Sequence, residues 1–303
     1  MLHKLRLLIP FSILFSSTSY ACINHYVIDG KGKEHIYGFE HPTAIQLSYR
    51  FDSMTVQRVE RHPTGWDNEE RFKYISNYCA SLIKLGHFKE TIPILKKLLL
   101  NHPEEYEINA NLAVALELDG QLETALTYLK KSIAIRPDAH AKSEWFHINV
   151  LEAAIKLQQQ QFNLQTDKVL TIPTGNNTII ARQLAYQLQE RIPLTRSTNA
   201  LLSKTIEETA DYFNKSLSLE WSVELYAIAA AYSTDTLAVA KLWNKINVAR
   251  TKLVTYHKMN KKSSPSKYLF SKDWKAMLTK NYIDKWRKYI PLYYKGDIVT
   301  SFE

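Results

Sequence analysis

Apolar residues between Phe72 and Pro137 recur three or four positions apart, in runs separated by polar residues and turn formers. This spacing predicts amphipathic helices, because residues three and four apart lie on the same helix face. The first predicted helix runs from Phe72 to about Leu85. The second ends before Pro103, since proline cannot continue a helix. Two further helices are predicted before Pro137.

The pattern repeats at a fixed interval. Gly86 and Gly120 are 34 residues apart, and so are Pro103 and Pro137. Each glycine can supply the positive φ angle that a tight turn between helices needs. A period of this length is typical of stacked helix pairs, because one pair cannot bury its apolar face alone.

These positions resemble the tetratricopeptide repeat family. The resemblance rests on small or apolar positions in the first helix of each pair, two turn glycines, a small residue in the second helix and two closing prolines. The matching residues are Tyr78, Cys79, Leu82, Leu112, Ala113, Leu116, Gly86, Gly120, Ala125, Pro103 and Pro137. The resemblance implies an all-α fold, a tetratricopeptide-like α-solenoid of helical hairpins with a concave binding surface.

The rest of the chain is divided by how well it keeps this pattern. The array is expected over residues 67–157, with two clean units at 72–105 and 106–139 and a third, degenerate unit from 140. A helix from about 141 to 158 begins that third unit, and 178–192 is expected to be its partner helix. Divergent helical repeats are expected over 158–255, including helices at 199–213 and 219–232. Residues 256–303 are predicted to form a basic linker and an amphipathic helix.

The amino-terminal region differs from the repeats. Residues 1–21 have a positive start, a short apolar stretch and small residues before position 22, which is the pattern of an export signal. We therefore expect an exported protein, with the periplasm as the favoured compartment.

In residues 22–66, two short aromatic and β-branched runs flank Asp29-Gly30-Lys31-Gly32, which predicts a small β-hairpin. Two placements are open for it: the edge of a small cap, or a position along the first repeat.

Charge is distributed unevenly along the chain. The net charge is +9, and residues 241–303 hold 15 Lys or Arg but four Asp or Glu. The basic end carries a stripe of aromatic and cationic residues, for which two interpretations are open. One is a capping helix packed on the last repeat. The other is a docking surface for an anionic membrane or envelope polymer. Its residues would be Trp274, Lys275, Tyr282, Trp286, Arg287 and Lys288.

Two cysteines, Cys22 and Cys79, allow three interpretations. Cys79 lies where the repeat needs a small buried residue, which favours an inert packed thiol. An oxidising compartment would permit a disulfide between Cys22 and Cys79. Cys22 also follows the expected cleavage point directly, so lipidation is a third option.

The sequence contains no catalytic or metal-binding motif, so we predict a non-enzymatic protein without a cofactor or metal. The family resemblance implies a peptide clamp instead. An Asn on the first helix holds the ligand backbone in many peptide-binding members, and Asn77 and Asn111 occupy that place. Trp145 replaces it in the third unit. Flanking candidates are Lys73, Lys84, Glu107, Glu117 and Glu144.

The predicted function is an exported scaffold that binds a protein or peptide. The alternative is an envelope or membrane-surface protein, tethered by its basic end or by an acylated Cys22. Nucleic acid is not expected as a partner, because an exported protein seldom meets it.

Overall fold

In the computed structural model, the described part of the chain consists mainly of helices packed against one another. It describes Lys31, the strands at 25–28 and 34–37, and residues 49–61, 71–195, 198–260, 267–285, 298 and 300. The expected export signal, Cys22, Trp286, Arg287 and Lys288 lie outside the described residues. None of the described helices is long and apolar enough to cross a lipid bilayer.

The elements follow one another in a simple order. They are β1 (His25–Ile28), β2 (Glu34–Tyr37), α1 (Tyr49–Arg61), α2 (Arg71–Lys84), α3 (Phe88–Asn101), α4 (Tyr106–Leu118), α5 (Leu122–Ile135), α6 (Ala139–Lys142), α7 (Glu144–Gln158), α8 (Asn177–Leu194), α9 (Ala200–Ser216), α10 (Leu219–Tyr232), α11 (Thr236–Asn260), a 3-10 turn (Lys267–Phe270), α12 (Trp274–Leu278) and a π-helical turn (Thr279–Asp284).

The four helices predicted between residues 72 and 137 are present as α2 to α5, with ends close to those expected. Gly86 and Gly120 both have positive φ angles, 96° and 80°. Each lets the chain reverse within a few residues, which an L-amino acid with a Cβ does only under strain. Consecutive helices contact each other along this stretch, and α2 also contacts α4.

The apolar interior forms two clusters that meet at α7. The first lies among α1 to α5 and includes Leu82, Leu112 and Leu116, all fully buried. The second extends from α7 to the last helices. Helix α7 contributes Leu151 to the first cluster and Phe146 to the second. This helix therefore joins the two halves of the molecule.

The start of the third predicted unit differs from expectation. The helix predicted from residue 141 begins at Glu144, and the residues before it form a left-handed turn, α6. His140, Ala141 and Lys142 have φ angles of 50°, 57° and 63°. Left-handed backbone costs about 1–2 kcal/mol per residue with a Cβ. Surrounding contacts must therefore hold this turn in place.

Helix α8 also departs from the predicted arrangement. It begins where Asn176 caps it, since the Asn176 side chain accepts hydrogen bonds from the N–H groups of Thr178 and Ile179. It continues through Pro193 to Leu194. It was predicted as the hairpin partner of α7, but it also lies against α2, α6 and α9. It therefore bridges the two ends of the array region.

The carboxyl-terminal half is arranged around α10. Every side chain of this helix is buried, because α9, α11 and the π-helical turn all pack on it. Strand β1 pairs antiparallel with β2 and also lies against α10. Strand β1 thus contacts the central helix of the carboxyl-terminal half.

We expect the first apolar cluster, among α1 to α5, to depend on close packing of its fully buried leucines. Leu112→Ala should lower the free energy of unfolding by about 2–5 kcal/mol, since it removes buried methyl groups and leaves a cavity. The matched control is Leu100→Ala, because Leu100 is 81% exposed on α3. The control should change stability by less than about 0.5 kcal/mol. Urea unfolding measures both, and equal losses would contradict this core assignment.

Candidate functional site

A cavity of about 590 Å³ lies between α2, α4, α7, α8 and α9. This volume is in the range of sites that bind small molecules or short peptide segments. Its wall is largely apolar. The apolar lining includes Ile83, Phe88, Val114, Leu118, Leu122 and Leu202. Charged side chains enter the wall from α2, α4, α7 and α8. The cavity therefore combines an apolar surface with a polar part.

The centre of the polar part is an ion pair between α4 and α8. The two guanidinium nitrogens of Arg191 lie 2.6 Å and 3.4 Å from the two carboxylate oxygens of Glu117. His147 Nε2 lies 2.6 Å from the second of these oxygens. Burial raises the pKa of Glu117, but Arg191 and His147 outweigh it and hold that pKa well below its ordinary value. Glu117 is therefore ionised at neutral pH.

A second carboxylate, Glu144, lies beside this pair on α7. Its Oε1 accepts a hydrogen bond of 3.2 Å from the Tyr106 hydroxyl and also bonds to His140 Nδ1. Burial opposes ionisation here as well, but His140 and His147 lower the pKa of Glu144 overall. Its other oxygen, Oε2, has no hydrogen bond, and His147 Nδ1 is 3.8 Å away. The site thus contains a buried carboxylate with one acceptor atom unused.

Helix α8 meets α4, α6 and α7 through a polar stripe of Gln183, Gln187 and Arg191. These residues are four apart and share one helix face. Gln183 accepts a hydrogen bond from Trp145 Nε1 and donates to the carbonyls of Ala141 and Lys142. Gln187 donates to Ser143 Oγ. The stripe therefore holds the left-handed turn and explains how its strained backbone is kept.

The structure brings together four of the eight residues proposed as a partner site. Lys84, Asn111, Glu117 and Glu144 all line the cavity. Asn111 Nδ2 donates a hydrogen bond of 3.1 Å to Ser76 Oγ, which leaves its carbonyl oxygen available. Lys84 forms no ion pair or hydrogen bond with any described residue.

The other four lie away from this cavity. Asn77 and Lys73 are exposed on α2, and the Lys73 ammonium lies 5.8 Å from the Phe72 ring centroid. Glu107 is exposed and pairs with Arg136 at 3.5 Å. Trp145 is half-buried, with its indole N–H used by Gln183. These four residues therefore do not share the cavity with the other candidates, and α8 contacts α2 and α7 beside it.

Four important residues of the site were not predicted from sequence. They are His140, His147, Gln187 and Arg191. The repeat pattern identified positions on the first helix of each unit but did not show which later helix would meet them. A usable signal was the four-residue spacing of Gln183, Gln187 and Arg191, a polar stripe on a helix whose opposite face is apolar.

The residues predicted for surface docking are partly packed inside. Trp274 is only 8% exposed; its ring lies 6.4 Å from that of Trp243, and the Arg250 guanidinium lies 4.4 Å from its centroid. Tyr282 is half-buried and packs on Tyr268, whereas Lys275 is exposed. In this arrangement Trp274 belongs to the carboxyl-terminal core, and Tyr282 packs partly buried against it.

Cys79 is a free thiol that is fully buried in α2. Burial raises its pKa strongly, so the thiolate is disfavoured. Of the three interpretations of the cysteines, the inert packed thiol describes Cys79 in this structure.

Neither the comparisons with known proteins nor a search for metal-binding groups assigns a family or a ligand to this site. No protein-family model matches the chain, and no curated protein or solved structure matches it. Within the described residues, no group of three or more His, Cys, Asp or Glu could hold a metal ion.

We expect the Arg191–Glu117 pair to stabilise the contact between α8 and α4. Arg191→Met should lower the free energy of unfolding by about 3 kcal/mol, because it leaves a buried carboxylate with one cation-forming neighbour, His147. Arg182→Met is the matched control, since Arg182 is exposed on the same helix. It should be close to neutral. Equal effects in urea unfolding would show that the ion pair is not important.

The same carboxylate should give a distinct pH dependence. The pKa of Glu117 in the folded protein is below its ordinary value of 4.5. Its contribution to the free energy of unfolding is therefore complete well above pH 4.5. The contribution is lost as pH falls, because the unfolded chain then binds a proton that the folded site does not. Between about pH 6 and about pH 3, wild type should lose more stability than Glu117→Gln. Glu107→Gln, at an exposed position, should follow wild type; parallel curves for Glu117→Gln and wild type would contradict the prediction.

Proposed function

We propose that this protein is an exported, non-enzymatic repeat scaffold that binds a protein or peptide, and that the cavity beside α8 is its binding site. The observation that carries the proposal is the cavity itself. It has an apolar wall, a Lys84 that pairs with no described residue, and an Asn111 carbonyl oxygen that no described residue uses. These are the elements that a peptide segment needs: a surface for a side chain and polar atoms for its backbone.

The proposal includes a tetratricopeptide-like arrangement of the helix pairs. The support is the 34-residue period, the positive φ angles at Gly86 and Gly120 and the contact of α2 with α4. In such an array α2, α4 and α7 would be the first helices of three successive units, and their shared face would be the concave surface. Helix α8 lies on this face, so the surface left for a partner is a short pocket and not a long groove.

The polar groups of the pocket support recognition of a peptide backbone. An amide side chain offers a donor and an acceptor, as a neighbouring strand does. The donor of Asn111 is used by Ser76, so its carbonyl oxygen would accept from a peptide N–H. Lys84 would donate to a peptide carbonyl.

The contacts of His140 and His147 favour a binding function over catalysis. His147 lies between Glu117 and Glu144, and His140 bonds to Glu144. These contacts join α4, α6 and α7 to one another, which is a structural role. The cavity lining, as far as the structure describes it, includes no serine or cysteine that could act as a nucleophile.

Export and the tethered alternative rest on the sequence. The export signal and Cys22 lie outside the described residues, so lipidation remains a proposal. The packing of Trp274 and Tyr282 makes the carboxyl-terminal helix a weaker candidate for membrane docking than a capping role. Mass measurement of the mature amino terminus would distinguish a free from an acylated protein.

Site-specific photo-crosslinking tests the binding site directly. A photoreactive amino acid at Lys84 should crosslink peptides from a chymotryptic digest of total cell protein, because this side chain enters the cavity wall. The control is the same substitution at Lys97, which is exposed on α3. Mass spectrometry of the adducts measures both. Equal labelling at the two positions, or none at Lys84, would refute a binding site in this cavity.

A further inference from the structure

The charges of the cavity wall are not balanced by one another. Glu117 and Arg191 form a bidentate pair and largely neutralise each other. Three charged wall residues remain: Lys84 on α2, Glu144 on α7 and Glu190 on α8. Among these three residues, two carboxylates therefore face a single ammonium group. An uncompensated negative charge in a partly enclosed site attracts a cationic group.

Glu144 is the buried member of this set. It is only 6% exposed, and its Oε2 has no hydrogen bond. A buried carboxylate oxygen without a partner is unfavourable, and a ligand that supplies a positive charge nearby relieves that cost. This makes the polar end of the cavity a site for a donor and not for another acceptor.

Glu190 is the accessible member. Its side chain is exposed, lies in the cavity wall and makes no ion pair or hydrogen bond with a described residue. Tyr186 lies four residues before Glu190 on α8, and its ring centroid is 5.1 Å from that of His140, which bonds to Glu144. The two carboxylates thus lie on the same side of the cavity, one buried and one open to solvent.

We propose that the cavity selects a peptide segment with a basic side chain next to an apolar one. The ammonium or guanidinium group lies at the polar end beside Glu190 and Glu144, and the apolar side chain packs on the wall formed by Val114, Leu118 and Leu202. Lys84 contacts a carbonyl oxygen of the same segment. This inference rests on the proposed function, because it names the chemistry of the ligand that the cavity takes.

Three capped synthetic peptides that differ in one residue test the inference: acetyl-Leu-Lys-Leu-amide and its Gln and Glu counterparts. Calorimetric titration of the full chain should give the lysine peptide an affinity about tenfold above that of the glutamine peptide, a difference of about 1.4 kcal/mol. The glutamate peptide should bind most weakly. Glu190→Gln should reduce the lysine peptide's advantage severalfold while leaving the glutamine peptide unchanged.

The control variant is Glu104→Gln, which removes an exposed carboxylate outside the cavity; it should leave all three affinities unchanged. Equal or tighter binding of the glutamine or glutamate peptide would overturn the inference, and the proposed function would stand. The same holds if none of the three binds while Lys84 still captures peptides by photo-crosslinking. Failure of both experiments would remove the proposed function together with the inference.

Discussion

The arrangement of this molecule depends on a polar contact between α8 and the helices it crosses. Arg191 and Glu117 are 74 positions apart in the chain, yet they form a bidentate pair with low exposure. Gln183 and Gln187 add further hydrogen bonds, beside the apolar packing of Leu194 on the first cluster. Two apolar cores lie on either side of α7, and this polar stripe crosses the boundary between them.

A polar contact has consequences that an apolar one would not. Side chains that form hydrogen bonds need fixed partners and do not fill all the space around them, whereas leucine cores close-pack. The cavity lies where the polar stripe ends and the apolar packing of α2 and α4 begins. The same contact holds three successive left-handed residues, a strained conformation of the kind that is found at functional sites. Cavity, strain and buried charges therefore occur together.

These features change the expected mode of recognition. An open concave groove would present Asn77, Asn111 and Trp145 to one extended ligand. In the structure Trp145 binds Gln183, Asn77 lies outside the cavity, and Asn111 remains at its wall. Under the proposed function, a partner would meet a pocket with few polar contacts, in which charge and the size of one or two side chains would determine selectivity.

The sequence by itself determined the helices of residues 72–137, their turns at Gly86 and Gly120 and the helix pair now seen as α9 and α10. These features depend on the spacing of apolar residues within one helix and on the backbone freedom of single residues, which are local properties. Only the tertiary structure decided the position of α8, the left-handed turn at His140 and the meeting of Glu117, Glu144, His147 and Arg191. Such contacts join distant positions, and their geometry follows from how all the helices pack together, which helical periodicity does not encode.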